Sequence, residues 1–304
     1  MAVNFHQLHI FYTVAVMGSF SVAAQSLHMT QPAVTMQIQS LEDYYGTKLF
    51  HRTRKKVELT EAGKALMPYA ESGIALIRSA NEAMSQFTHG LEGKLNLGAS
   101  FTFGEFILPR ILGVFGNDYP HIAISMRVMN TKQIVEEVLN HQLTFGLVES
   151  EVQHPNLHIE SVLSDELKLI LPAQHPLLQK PRIYFEDLLD YPFILREQGS
   201  GTREVMEKEL LQQGMDISLL RIIMEIGNTG AIKSAVEANF GLSILSPTAV
   251  KHEVALGLLA VRDIVDCRFK RQFNVIYLDS TLLPISAVSF LAFLRENDLN
   301  QWIL

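Results

Sequence analysis

Apolar residues near the start of the chain recur at helical spacing, and the recurrence breaks twice. Leu8, Phe11, Tyr12, Ala15 and Val16 fall at i, i+3, i+4, i+7 and i+8, which predicts one buried stripe on a helix ending at Gly18. Ser21 is placed to cap a short second helix with Ala23, Ala24 and Leu27 turned inward, and the chain breaks near His28 and Met29. Thr30 caps a third helix. Pro32 falls in its first turn, where a missing N–H costs nothing, and Val34, Ile38 and Leu41 give it a buried face. Two short helices joined by a tight turn predict a helix-turn-helix. The opposite face of the third helix carries Gln31, Thr35, Met36 and Gln39, uncharged side chains suited to base edges in a major groove.

The period then shortens. Leu49 and Phe50, followed by Val57 and Leu59, read as two strands joined by the basic turn Arg52, Thr53, Arg54, Lys55, Lys56. Taken alone, that turn is a solvated loop. Placed after a helix-turn-helix, it reads as a wing whose charges follow a phosphate backbone or enter the adjacent minor groove. From Glu61, with Thr60 as N-cap, the pattern stays helical to about His89. Leu66, Ala70, Gly73, Ile77, Ala80, Met84 and Phe87 alternate by four and three, a heptad seam. Since the seam includes Gly73 and two alanines, it fits either pairing with a second chain or packing on its own domain. The predicted division is 1–60, 61–89 and 91–304.

Beyond Gly90 and Gly93, short apolar runs alternate with helical stretches, which predicts parallel α/β construction. The strand-like runs are Leu95–Ala99, Ile122–Val128, Phe145–Val148, Leu167–Leu171, Phe193–Leu195, Arg221–Ile226 and Leu242–Leu245. Helical stretches include Glu105–Phe115, Thr131–Asn140, Thr202–Gln213 and Thr229–Asn239. Ligands of such sheets gather at the carboxyl ends of strands, where helix N-termini offer free N–H groups. At those ends lie Ser100, Phe101 and Thr102; Asn130 and Thr131; Glu149 and Ser150; and Asn228 and Thr229. The loop Gly199-Ser200-Gly201-Thr202-Arg203 is richest in chemistry: its glycines permit close backbone approach, its hydroxyls donate, and Arg203 can clamp an anion.

Net charge changes the picture. The chain carries −7 overall, against nucleic acid, yet residues 1–89 hold seven Lys or Arg against six Asp or Glu. Five of those seven, Lys48, Arg52, Arg54, Lys55 and Lys56, fall in one acid-free run of nine residues, a local basic site on an otherwise acidic chain. With 48% hydrophobic and 19% charged residues the chain can bury real cores. No apolar run is long enough to span a bilayer, and residues Met1–Ile10 lack the basic and apolar regions of a secretory signal, so a cytoplasmic location is expected. The single cysteine, Cys267, is expected to be a packing residue. Enzyme motifs are missing: His252-Glu253 is not followed by a second metal-binding histidine, and neither a Gly-x-Ser-x-Gly elbow nor a Gly-x-Gly-x-x-Gly fingerprint occurs. The eleven histidines are scattered, so no metal, no cofactor and no catalytic residue is expected.

The run Phe20-Ser21-Val22-Ala23-Ala24-Gln25-Ser26-Leu27-His28-Met29-Thr30-Gln31-Pro32-Ala33-Val34-Thr35, with Ile38, Leu41, Glu42, Gly46, Leu49, Phe50, Arg52, Leu59, Thr60 and Gly63, resembles the N-terminal signature of the LysR-type transcriptional regulators. Thr35 departs from the serine common there but keeps the hydroxyl. The resemblance implies that Ser21, Thr30, Gln31, Pro32, Ala33, Thr35, Met36 and Gln39, with wing residues Arg52 to Lys56, contact double-stranded DNA. It also implies linker helices that pair two chains, dimers that join into tetramers, and contact with RNA polymerase. Residues 91–304 are similar to the effector domain of that family, whose fold is that of periplasmic binding proteins. The chain would cross between lobes near Ser164 and return near Cys267 to Phe269, giving lobe I as 91–163 with 268–304 and lobe II as 164–267. A small-molecule inducer then lies between the lobes on the strand-end residues. The run Arg196 to Arg203 resembles the carbon-fixation and sulfur-assimilation branches, which implies a small anion.

Overall fold

The computed structural model describes residues 3–52, 57–85, 91–279 and 282–302. The chain divides into two compact units, Met1–Thr88 and His89–Leu304, each with its own core.

In the first unit, α1 (Phe5–Met17) starts at Asn4, whose side chain accepts the Gln7 N–H while the Gln7 side chain accepts the Asn4 N–H. It ends at Gly18 in the left-handed conformation, φ 60°. The cap of α2 (Phe20–Ser26) is Ser19, not the expected Ser21. Ser19 is extended and accepts the Val22 N–H, whereas Ser21 already lies inside the helix. The turn at Gly18 leaves room for one extended residue only, and that decides between the two serines. Thr30 caps α3 (Gln31–Tyr45) by accepting the Ala33 N–H at 3.4 Å.

The hairpin of β1 (Phe50–Arg52) and β2 (Val57–Leu59) is antiparallel, with Phe50 opposite Leu59. It starts one residue later than the sequence predicts, because the Leu49 N–H goes to the Glu42 carboxylate and the Leu49 carbonyl to the Thr60 N–H. Thr60 then caps α4 (Glu61–Ser85), its hydroxyl accepting the Gly63 N–H. The start of α4 belongs to this unit's core. Ala70 is fully buried, and Leu66 and Met67 pack on the cluster of Ile10, Phe11, Val14, Val34, Ile38 and Leu41. So the front of the heptad seam packs on its own domain, while Ile77 and Met84 further along are exposed. Phe87 lies outside the described residues.

The second unit runs through β3 (Gly93–Ala99), a π-helical turn (Phe103–Ile107), α5 (Leu108–Asp118), β4 (Ile122–Val128), α6 (Thr131–Leu139), β5 (Phe145–Val148) and β6 (Leu157–Pro172). It continues with β7 (Pro192–Arg196), α7 (Gly201–Gln212), β8 (Arg221–Ile226), α8 (Thr229–Glu237), β9 (Ser243–Leu245), α9 (Lys251–Ala255), β10 (Leu259–Arg262), β11 (Phe269–Leu278) and α10 (Ile285–Glu296). The expected parallel construction holds for part of the unit only. Strands β4, β3 and β5 are parallel, but β11 and β6 are antiparallel to each other, and β10 and β9 pair antiparallel with the far half of β6. A chain that leaves one lobe and returns must cross in opposite directions. Those crossings are β6 and β11.

Two cores flank the crossings. One holds Leu163 and Phe273 with β3, β5, α5 and α10; the other holds Leu167 and Phe269 with β7, α7 and Ile244. Between them the paired strands carry only polar residues: Ser164 faces Gln272, Asp165 faces Arg271, and Glu166 faces Lys270. A line between lobes drawn at Ser164 therefore returns at Gln272, later than the Cys267–Phe269 expected. Cys267 is buried in the second core, and burial pushes its thiol up to about 12, in keeping with a packing role.

Candidate DNA interface and effector site

On the first unit, α1, α2 and the start of β1 hold α3 by one face. Phe11 and Phe20 pack on Phe50, and the Gln7 side chain donates to Ser40 at 3.2 Å. Glu42, buried on α3, accepts Lys48 Nζ at 2.7 Å and the Leu49 N–H at 3.0 Å, tying the third helix to the first strand of the hairpin. The other face of α3 is open. Gln31, Pro32, Met36 and Gln39 are exposed, Met36 at 68%. Gln31 donates to the Thr35 hydroxyl at 3.1 Å. The Gln39 amide is held at both ends, donating to Asp43 and accepting from Lys48, a restraint with no sequence signal. Ser21, Thr30 and the half-buried Ala33 and Thr35 complete this end of the helix pair. Thr53, Arg54, Lys55 and Lys56 lie outside the described residues, as does the side chain of Arg52.

The second unit gathers its buried charges on the belt between the cores. Arg271 stands at their centre with its side chain at 0% exposure. Its Nη1 donates to Glu149 Oε2 at 2.5 Å and to the Thr202 hydroxyl at 3.0 Å; Nη2 reaches the Thr102 hydroxyl at 3.1 Å; Nε and Nη2 both meet Asp165 Oδ2. Glu149 also accepts the Thr102 N–H at 2.7 Å and the Thr202 hydroxyl at 3.1 Å. Ser246, at the end of β9, donates to the other Asp165 oxygen. Burial acts to raise the Glu149 pKa, but the charges of Arg271 and Arg196, with the Thr102 N–H, more than offset it and hold the carboxyl below its ordinary value.

A second buried arginine lies beside this cluster. Arg196, the last residue of β7, donates to both Glu197 oxygens and to the Thr229 hydroxyl, and its guanidinium lies 4.7 Å from the centroid of the Phe101 ring. Asn130 and Asn228 cap α6 and α8, and Asn130 Nδ2 donates to Glu197 at 3.4 Å. The glycine loop docks on the other lobe. A Cβ at Gly201 would lie 2.9 Å from Glu149 Cβ and from Thr131 Oγ1, and one at Gly199 would lie 3.0 Å from Lys132 Cβ. These glycines thus permit lobe-to-lobe approach. Arg203 does not turn to the belt: it pairs with Glu207 and Glu225 and donates to the Arg196 carbonyl. Ser100 and Ser200 are buried nearby on the two lobes.

Of the strand-end residues singled out from sequence, Thr102, Glu149 and Thr202 meet in one network, and Phe101, Thr229 and Asn130 meet around Arg196 and Glu197. Sequence reasoning missed Arg271, Asp165 and Arg196 as site residues. Arg271 did leave a signal, for it occupies the inward parity of Phe269 and Phe273 in an alternating strand.

A helix-turn-helix with an attached hairpin in one unit, and a two-lobed unit belted by buried charge in the other, define a ligand-responsive DNA-binding regulator. The profile of bacterial regulatory helix-turn-helix proteins of the lysR family matches residues 5–64, and that of the LysR substrate binding domain matches residues 88–298. The chain belongs to the LysR family of transcriptional regulators. It is 36% identical over 276 residues to a protein of Cyanophora paradoxa named "Probable RuBisCO transcriptional regulator", covering 90% of this chain and 85% of that one. A Synechocystis protein of the same name is 36% identical, covering 89% and 79%. Full-length OxyR from Pseudomonas aeruginosa has the same fold, with a TM-score of 0.76 at 20% identity over 98% of this chain and 97% of that chain. The regulatory domain of CcmR from Synechocystis PCC6803, solved in complex with 2-PG, gives a TM-score of 0.62 at 32% identity over 67% of this chain and 97% of that chain. Among the described residues no helix is long and apolar enough to cross a membrane.

Proposed function

We propose that this regulator senses a small anion held on the interlobe belt and converts its binding into a change in how paired chains sit on DNA. The observation that carries the reading is Arg271, a fully buried guanidinium that touches Thr102, Glu149 and Thr202, residues from both lobes, at one point. A ligand that binds one lobe geometry better than another shifts the population toward it. Buried arginine, hydroxyls and a helix-end N–H suit a carboxylate, phosphate or sulfate. That CcmR was solved with 2-PG supports trying the same ligand here. The effector set is Ser100, Phe101, Thr102, Asn130, Thr131, Glu149, Gly199, Ser200, Gly201, Thr202, Asn228 and Thr229, to which we add Arg196 and Arg271 in place of Arg203, whose guanidinium is turned to Glu207 and Glu225. The ligand is bound and released unchanged, so the chain acts as a cytoplasmic regulator and not as an enzyme.

On the DNA side, the start of α3 reads base edges and the basic hairpin holds phosphates. Two modules on one dimer read two half-sites with a high effective concentration. Tyr69, Leu76, Ile77 and Met84, exposed along α4, supply an apolar surface for pairing, and the exposed Ile222, Ile223 and Met224 of β8 supply another for joining effector units. Dimers of dimers and contact with RNA polymerase complete the scheme.

A gel-shift titration against the DNA upstream of the protein's own gene, with random DNA as competitor, tests it. Arg54→Ala should weaken binding to every sequence and flatten its salt dependence, while Gln31→Ala should chiefly relax specificity. Equal losses on specific and random DNA for both variants would contradict that division. A footprint and DNA bend unchanged by sulfate, inorganic phosphate, 2-PG and acetylserine would sink the anion reading.

A further inference from the structure

We propose that the Glu149 carboxylate is a built-in competitor at the effector site, occupying the anion position until the acidic group of the effector displaces it. The inference rests on the interlobe reading above. Glu149 is held by the Thr102 N–H, the Thr202 hydroxyl and Arg271 Nη1, at 2.7, 3.1 and 2.5 Å. These are the donors that an incoming carboxylate or phosphate would need: a backbone N–H at the head of a helical segment, a hydroxyl and a guanidinium.

Arg271 has no donor left over. A guanidinium carries five N–H groups, and here they serve Asp165 through Nε and Nη2, Glu149 and Thr202 through Nη1, and Thr102 through Nη2. An anion added on top of these contacts would also place a third negative charge against one buried arginine that already faces two carboxylates, a heavily disfavoured arrangement. Exchange avoids both problems, because one negative charge enters as another leaves and the donors change hands.

The displaced side chain has somewhere to go. Glu149 follows the last residue of β5, so it can swing without breaking a strand ladder. Its neighbours Ser150 and Glu151 line a cavity of about 410 Å³ whose charged lining is Glu151, Glu204, Glu209, Lys208, Lys270 and Arg271. Lys208 is paired with Glu151, so Lys270 is the cation there that can receive the displaced carboxylate. Exchange also couples binding to lobe geometry. Glu149 accepts from Thr202 on α7, and the Gly201 backbone lies against the Glu149 Cβ. Withdrawing Glu149 therefore frees the contact between lobes, and the entering anion remakes it with its own oxygens. Ligands with at least two acidic oxygens on one centre satisfy Thr102, Thr202 and Arg271 together, whereas neutral analogues cannot displace Glu149 at all.

Calorimetric titration of the full-length protein with inorganic phosphate, and separately with 2-PG, tests this. Glu149→Gln keeps the shape but removes the competing charge, and it should tighten binding by about tenfold or more, the gain expected when a competing occupied state is removed. Glu149→Asp keeps the charge on a shorter stem that reaches the three donors less well, and it should tighten binding by a smaller factor. Should Glu149→Gln fail to fold, Glu149→Asp decides alone. Phosphate binding by the wild type that stays equal or weakens in the variants would overturn the displacement while leaving the anionic effector standing. No binding of either anion by the wild type and both variants would overturn the anionic effector itself. Binding that appears only in the variants would support displacement.

Discussion

The two units treat polar groups in opposite ways. In the first, Glu42 is the one buried charge among the described residues, joined only by the neutral Gln7 and Thr13, and the side chains that face a partner stand open on α3, uncharged and near one another in sequence. In the second, charge is driven inside: Arg271, Glu149, Asp165 and Arg196 sit on a belt between two apolar cores, each saturated by neighbours. A DNA-reading surface has to be presented ready for a large partner. A ligand switch instead needs two lobe arrangements close in free energy, and a polar belt supplies contacts that can be exchanged without unpacking either core.

The strongest way to break this contrast is to remove the centre of the belt. Arg271→Ala leaves Glu149 and Asp165 buried without their counter-ion, which should cost about 3–5 kcal/mol. Trp302 is the only tryptophan and packs on the core of the second unit, so its fluorescence during urea unfolding reports on that unit alone. The Trp302 transition should move to much lower urea, while an N-terminal fragment signal such as specific DNA retention at zero urea is kept. A shift of that transition below about 1 kcal/mol would mean that the belt charges are solvated and the contrast false.

A smaller change probes the lobe contact instead of the charge. In Gly201→Ala the added methyl meets Glu149 Cβ and Thr131 Oγ1 at 2.9 Å, overpacking that should cost about 1–3 kcal/mol. Because the lobes can relieve it by separating, the variant should favour a more open effector unit, seen as a larger radius of gyration in solution scattering. An unchanged scattering curve together with unchanged stability would show that the loop yields locally and carries no lobe contact.

The same contrast explains what could be read from the sequence. The three N-terminal helices follow from local rules: apolar spacing, Gly18 and Gly46 at helix ends, and Thr30 as a cap. Only Ser19 against Ser21 escaped, since either serine satisfies the cap chemistry and the tight turn at Gly18 chooses. The belt obeys no local rule. Thr102 and Arg271 are 169 residues apart and meet only through β-pairing. Strand β11 was itself hidden, because Lys270, Arg271 and Gln272 interrupt its apolar alternation where it crosses between lobes. The glycines at 199 and 201 announced a close approach, but not that the approaching object is the other lobe.

The mildest lever on the comparison is pH, acting on a buried polar group with no counter-charge. His175 caps the 3-10 turn Pro176–Gln179, its Nδ1 accepting the Leu177 N–H at 3.3 Å, and its ring lies edge-on to Tyr191. Burial lowers its pKa below the ordinary 6.5, since a charged ring would be desolvated and could no longer accept at Nδ1. The unfolded chain binds a proton near 6.5 while the folded chain still resists. Stability from this group is therefore full above that pH and is lost as pH falls through 6.5 toward the lowered folded value. Urea midpoints for the Trp302 transition should accordingly decline between pH 7.5 and about 5.5, a window above the range in which the depressed Glu149 carboxyl titrates. In His175→Asn, which keeps an acceptor at the cap and has nothing to protonate, that decline should flatten. An identical slope in wild type and variant would assign the acid sensitivity in this window to groups other than His175.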